Sequence, residues 1–418
     1  MHNHVLASKR RRRVVAVVSA VAGSLLVSAG FGPLSLPSAS AQTAGAVIPS
    51  PSKTDNGLSG VSAVTGTDAW AVGYYGVGAQ GSGDDNTLTL RWNGASWAKV
   101  TSPNKLPGQT NQLAGVYARA ANDVWAVGDD SSSSTPLATL ILHWNGTKWV
   151  WVPSPNPYAT GSELTAVSAD SASDAWAVGT GLASGGVTDT LILHWNGKSW
   201  SQVSSPTPVN SYLNLAGVTA ISASDAWAVG TYYNNTTNTY DTLTLHWNGK
   251  SWSEVSSPNP DATGENRLNA VSADGANDVW AVGTLCSIAS GTCAFTDEST
   301  LILHWTGKAW KQVTSPNPST KANFLNGVSA DPASAKDAWA VGWYNNNTSG
   351  ADDTLNLRWN GTKWSQVTGS NPSASTNFLR AVATISQSDA LAVGVEANAS
   401  GVFDTLGLHW NGTTWATT

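Results

Sequence analysis

Charge is scarce in this 418-residue chain: Asp, Glu, Lys and Arg make up 11% of it. Five of its 21 basic residues, Lys9 and Arg10 to Arg13, crowd the start; without them 16 basic residues face 27 acidic ones, a net charge near −11. Such a surface excludes recognition of nucleic acid or anionic lipid through a basic patch. Cysteine occurs twice. Cys286 and Cys293 enclose SIASGT, too few ligands for a structural zinc centre and most simply a disulfide stapling one Gly/Ser-rich loop. Only five glutamates occur (Glu163, Glu254, Glu265, Glu298, Glu396), and no Ser/His/Asp order, HExxH, phosphate loop or dinucleotide fingerprint appears. No cofactor is expected, and no heptad or 3.6-residue periodicity stands out after residue 50.

The front end reads as an export signal. Residues 1–41 combine the basic cluster, an apolar stretch from Val14 to Phe31 diluted by Gly and Ser, and Ala39-Ser40-Ala41. The stretch is too short and too rich in small residues for a retained anchor, so the mature chain is expected to be extracytoplasmic and without a membrane span. The adjacent arginines leave the general secretory and twin-arginine routes both open.

What is abundant is repetition. DAWAVG at 174–179 recurs in close copies centred on Trp70, Trp125, Trp176, Trp227, Trp280, Trp339 and Leu391, spaced 55, 51, 51, 53, 59 and 52 residues apart. Each unit holds four short β-favouring segments; in the third they are LTAVSA (164–169), DAWAVG, DTLILHW (189–195) and SWSQVSS (199–205). WNGKSW places Asn-Gly between the last two, where a hairpin turn with positive φ is expected. Seven units of four antiparallel strands predict an all-β fold, a seven-bladed propeller over 57–418. A solenoid would need shorter repeats and independent domains larger ones. Ile48-Pro49-Ser50-Pro51 matches Val152-Pro153-Ser154-Pro155 at the end of unit two, whereas unit seven stops at Thr418. Segment 42–56 is therefore expected to link the signal to the ring and to close the last blade's outer edge, which leaves no open sheet edge. A monomer is expected.

Of 22 tryptophans, 20 fall in register, which predicts packing between neighbouring blades. An aspartate two residues before the hexapeptide Trp or Leu occurs in all seven units, from Asp68 to Asp389. The residue before the second in-register Trp is His143, His194, His246, His304 or His409, with Arg91 and Arg358 in the other two. A carboxylate on a turn and an imidazole or guanidinium on the third strand are expected to hydrogen-bond across each blade, a structural role.

The pattern D-A-W-A-V-G…L-H-W-N-G-x-x-W resembles the repeats of exported bacterial β-propeller proteins and is similar to the G-W-A-V-G repeats of the photosystem II assembly-factor family. LHWNGKSW (193–200) also resembles a degenerate Asp-box, with Gly197, Ser199 and Trp200 matching and Trp195 standing where the Asp belongs. The resemblance covers 57–418 and implies architecture; propellers host binding and many chemistries alike.

Function is expected on the face that carries the 2-to-3 loops and the inter-blade links, because the repeats disagree there. Tyr74-Tyr75, Tyr232-Tyr233 and Trp343-Tyr344 follow the hexapeptide glycine, with Tyr158, Tyr212 and Tyr240 in nearby segments and Asn234-Asn235-Thr236 and Asn345-Asn346-Asn347 adjoining. Rings beside amides suit sugar faces and edges. The reading is a secreted, non-catalytic binding propeller for glycans or an envelope or protein partner. The alternatives are a pure protein-interaction scaffold, rings that merely cover strand ends, or a glycoside hydrolase or lyase. An enzyme would need paired carboxylates, from residues such as Asp129, Asp130, Asp352 and Asp353, facing each other in an aromatic-lined cleft.

Overall fold

The computed structural model describes residues 48–77, 84–132, 135–183, 186–207, 212–286 and 298–418. The expected export signal and Cys293 lie outside these residues; Cys286 ends a second strand and is buried. The described residues form seven four-stranded antiparallel sheets, the blades, spanning 56–100, 110–151, 162–202, 213–254, 265–312, 323–366 and 377–417. In blade 3 the strands, from the axis outward, are Ser162–Ser171, Asp174–Leu182, Thr188–Trp195 and Trp200–Gln202. The innermost strand of each blade touches the next around the circle, and that of blade 7 touches that of blade 1, so the ring closes.

Period-two alternation sends Trp176 and Val178 to the following blade and Ala175 and Ala177 to the preceding one. Each hexapeptide tryptophan thereby meets both in-register tryptophans of the next blade. Trp176 lies 4.8 Å from Trp247 and 5.1 Å from Trp252, the latter edge-on, and the other tryptophan-bearing blades repeat the arrangement. Trp70, Trp125, Trp176, Trp227 and Trp339 bury an indole N–H with no acceptor, so these rings are held for area rather than for hydrogen bonding. The Asp ties to its third-strand partner in every blade: histidine Nε2 to aspartate Oδ1 at 2.5–2.9 Å in five, and forked Arg91–Asp68 and Arg358–Asp337 pairs in two. In blades 2 to 5 the imidazole also stacks on the hexapeptide indole, 3.8–4.4 Å between centroids. The Asn-Gly turns, and Thr306-Gly307 in blade 5, are four-residue loops with glycine φ between 84° and 95°; in blade 3 the Asn196 side-chain oxygen accepts the Lys198 and Ser199 N–H groups.

One distortion recurs in all seven blades. The innermost strand bulges one residue after a buried leucine, as between Leu58 and Gly60 or Leu268 and Ala270. The leucine lies opposite the hexapeptide glycine, and the bulge drives the preceding carbonyl onto that glycine. A Cβ there would sit 1.8–2.1 Å from the carbonyl oxygen in every blade. The invariant last letter of DAWAVG is therefore required by the bulge, which in turn points one variable residue per blade at the axis.

The seam between blades 7 and 1 uses the N-terminal segment. Ile48 is buried in that junction's core, where other junctions have Val152 or Val203. Ser50 Oγ lies 2.9 Å from Thr405 Oγ1, as Ser205 does from Thr190 and Ser154 from Thr139 at 2.6 and 2.7 Å.

Candidate functional site at the axial mouth

The innermost strands enclose an axial channel of about 180 Å³, lined by three consecutive residues from each blade. The first of the three is the bulge residue: Ser59, Ala114, Thr165, Ala216, Asn269, Asn326 and Arg380. Thr165 donates to the Leu215 carbonyl at 2.7 Å, and Asn269 and Asn326 donate to those of Leu325 and Leu379 at 2.8 Å, each stitching one blade to the next. The second level is Gly or Ala, and a Cβ on Gly115 or Gly327 would come within 3.0 Å of the neighbouring blade's backbone. The third level is valine.

Two residues before each bulge residue, toward the variable face, stands a position that pairs with the residue after the hexapeptide glycine. These two positions rim the channel, and around the ring they differ by arc. Blade 6 contributes Phe324 and Trp343, stacked at 4.3 Å and 15°; Phe378 of blade 7 approaches Trp343 to 4.6 Å. Tyr74 of blade 1 continues this apolar arc, its ring against Gly57, a position that Val395 of blade 7 also abuts. At the equivalent junction across the ring, Asp129 of blade 2 faces Glu163 of blade 3. Burial, then the Glu163, Asp130 and Asp85 charges, push the Asp129 carboxyl up to about 8. Burial also raises Glu163. No cation is among the groups acting on either, and Asp129 has no hydrogen-bond or ion-pair partner among the described residues. Two neighbouring carboxyls in this setting hold a proton near neutral pH.

Of the six rings expected to meet a ligand, alternation divides the set. Tyr74 and Trp343 reach the mouth. Tyr75, Tyr232 and Tyr344 point to the opposite side of their strands and pack against inter-blade cores. Lys99 covers the Tyr75 ring at 3.7 Å, and the Tyr232 and Tyr344 hydroxyls lie 3.4 Å from Asp241 and Asp353. In blade 3 this slot falls to Gly181, and the Tyr158 ring from the preceding link fills it. Tyr233 belongs to a separate group at blades 4 and 5, edge-on to Tyr240 at 5.2 Å, with the Arg267 guanidinium 4.8 Å over Tyr240 and Tyr212 exposed nearby. The adjoining amides close their own loops: Asn234 and Asn346 bond Asp241 and Asp353, and Asn347 accepts from Ser319 and Thr320. Of the four acids expected around the axis only Asp129 is there. Asp130 pairs with Lys105 at 2.7 Å, and Asp352 bonds Asn345. Glu163, Phe324, Phe378 and Arg380 are not among the site residues expected from the sequence. Aligning the units on the innermost-strand leucine would have exposed them as the non-repeating letters beside it.

Among the described residues no group of three or more His, Cys, Asp or Glu is placed to hold a metal, and no helix is long and apolar enough to cross a membrane.

No protein-family model matches the chain, and no curated protein does. Solved structures do. A PL25 ulvan lyase bound to -[GlcA(1-4)Rha3S]- superposes with a TM-score of 0.55 at 11% identity, over 87% of this chain and 96% of the lyase. The GH74 xyloglucanase from Xanthomonas campestris gives 0.52 at 13%, over 86% of this chain and 59% of its own. YCF48 bound to D1 peptide gives 0.47 at 15%, over 86% and 94%. At these identities the likeness is one of fold alone, and the all-β propeller it shows serves proteins of differing activity.

Proposed function

We propose that this is an exported, non-catalytic glycan-binding propeller that holds its ligand over the axial mouth. The observation carrying the reading is the two-sided rim. Phe324, Trp343, Phe378 and Tyr74 offer an apolar arc for the CH face of a sugar ring, while Asp129 and Glu163 across the channel accept its hydroxyls. Rim residues differ between blades while the frame below them repeats, as a site on a rigid scaffold requires. A glycan array and pull-down with the mature chain, compared with Trp343→Ala, tests it. Loss of signal in the variant is expected, and equal signals from both proteins would discard the apolar arc. Capture of a protein and no glycan would move the reading to an interaction scaffold.

The Asp129–Glu163 pair supports a second reading, a polysaccharide lyase or hydrolase. A carboxyl that keeps its proton near neutral pH beside a second carboxyl has the chemistry of a general acid and its partner. Release of new reducing ends or unsaturated products, abolished by Asp129→Asn, would establish that reading and end the non-catalytic one.

A further inference from the structure

We propose that the axial channel beneath the mouth is a carboxylate-binding site in which the Arg380 guanidinium takes the anion. Arg380 is the one charged side chain among the residues lining the channel, and no acid lines it. Its counterparts in blades 3, 5 and 6 spend their side chains on a neighbouring leucine carbonyl, whereas Arg380 has no hydrogen bond or ion pair among the described residues. The arginine at the rim above, Arg267, is engaged by Glu265. A partly buried guanidinium presents a fork of donors shaped for a planar two-oxygen anion, and leaving it unpaired wastes that match. The void of about 180 Å³ admits a carboxylate with a few waters. Below Arg380 the lining is Gly or Ala and then valine in every blade, so no second polar side chain there competes for the anion. Of the acids at the mouth, Asp129 opposes entry only weakly at pH 7, because burial and the neighbouring Glu163 charge push its carboxyl up to about 8.

The site deepens the glycan reading if the anion is a sugar acid but does not depend on it, because a free carboxylate offers the same two oxygens. Calorimetric titration of the mature chain with sodium acetate, sodium galacturonate and galactose, at fixed ionic strength, tests it. Acetate and galacturonate are expected to bind. Arg380→Gln should weaken both by about 10-fold or more and Arg380→Lys should fall between, since a charged hydrogen-bonded pair is worth about 1.5–3 kcal/mol. Near-UV circular dichroism checks that the tryptophan junctions of each variant are intact. Galacturonate binding well above acetate identifies a sugar acid as the source, and equal affinities identify a free carboxylate. No carboxylate binding by the parent chain, or equal affinities in parent and Arg380→Gln, would overturn the proposal. Glycan-array binding of neutral sugars without carboxylate binding would overturn this inference and leave the glycan reading standing, and carboxylate binding lost in Arg380→Gln without any neutral-glycan signal would do the reverse.

Discussion

Replacing Asp129 by asparagine removes a carboxyl that the fold would rather keep protonated. In the unfolded chain Asp129 ionises at its ordinary value of 3.8; in the folded chain at about 8. The folded state therefore holds a proton that the unfolded state has released. The associated stability is fully present below pH 3.8 and is lost as pH rises toward 8. Taken whole, the difference corresponds to about 6 kcal/mol; water reaching a half-buried carboxyl reduces this to about 2–3 kcal/mol. An asparagine at this position carries no such penalty. The variant should match the parent near pH 4 and exceed it by about 2 kcal/mol at pH 9, with the gap opening between those limits. Urea titrations followed by tryptophan fluorescence at pH 4, 6, 7.5 and 9 measure it. A difference that stays flat across this range, or an asparagine variant less stable at pH 9 than its parent, would refute the claim that Asp129 is desolvated beside Glu163.

Two further outcomes concern the frame. Deleting residues 48–52 removes Ile48 from a core and the Ser50–Thr405 contact from the last blade; a loss of about 3–5 kcal/mol, read as a lower melting temperature, is expected. Gly179→Ala places a Cβ 2.1 Å from the Glu163 carbonyl. Because the obstacle is backbone, the variant should lose about 3 kcal/mol in chemical denaturation, against a few tenths for Gly275→Ala, where a Cβ meets nothing and φ is not positive.

The architecture was legible because it is written seven times. Trp176, Asp174 and His194 state the same instruction as Trp125, Asp123 and His143, and a role needed once per blade announces itself by recurrence. The mouth was legible only in part. Following the chain past the hexapeptide glycine finds Tyr74 and Trp343. The other half of the rim comes from the strand before: the bulged pairing brings Phe324 beside Trp343, and only the meeting of two blades brings Glu163 of blade 3 to Asp129 of blade 2. Strand alternation alone argues that Tyr74 and Tyr75 cannot share a destination, so Tyr75, Tyr232 and Tyr344 could have been assigned to the cores beforehand. That Tyr158 fills the gap over Gly181 could not, because nothing in a linking segment states where its ring will fold back.

A ring is as durable as its weakest joint, and the joint between blades 7 and 1 is built differently from the rest. Leu391 stands where the other blades place an indole, so Trp92 and Trp97 close on a smaller side chain, and the last outer strand is continued by residues from the opposite end of the chain. Amide exchange and proteolytic nicking should begin there, since local opening follows the least buried contact. The apolar rim straddles this same joint, with Phe378 and Val395 on one side and Tyr74 on the other. A ligand lying across it would act as a clasp, so that occupancy registers as resistance of the whole circle to opening.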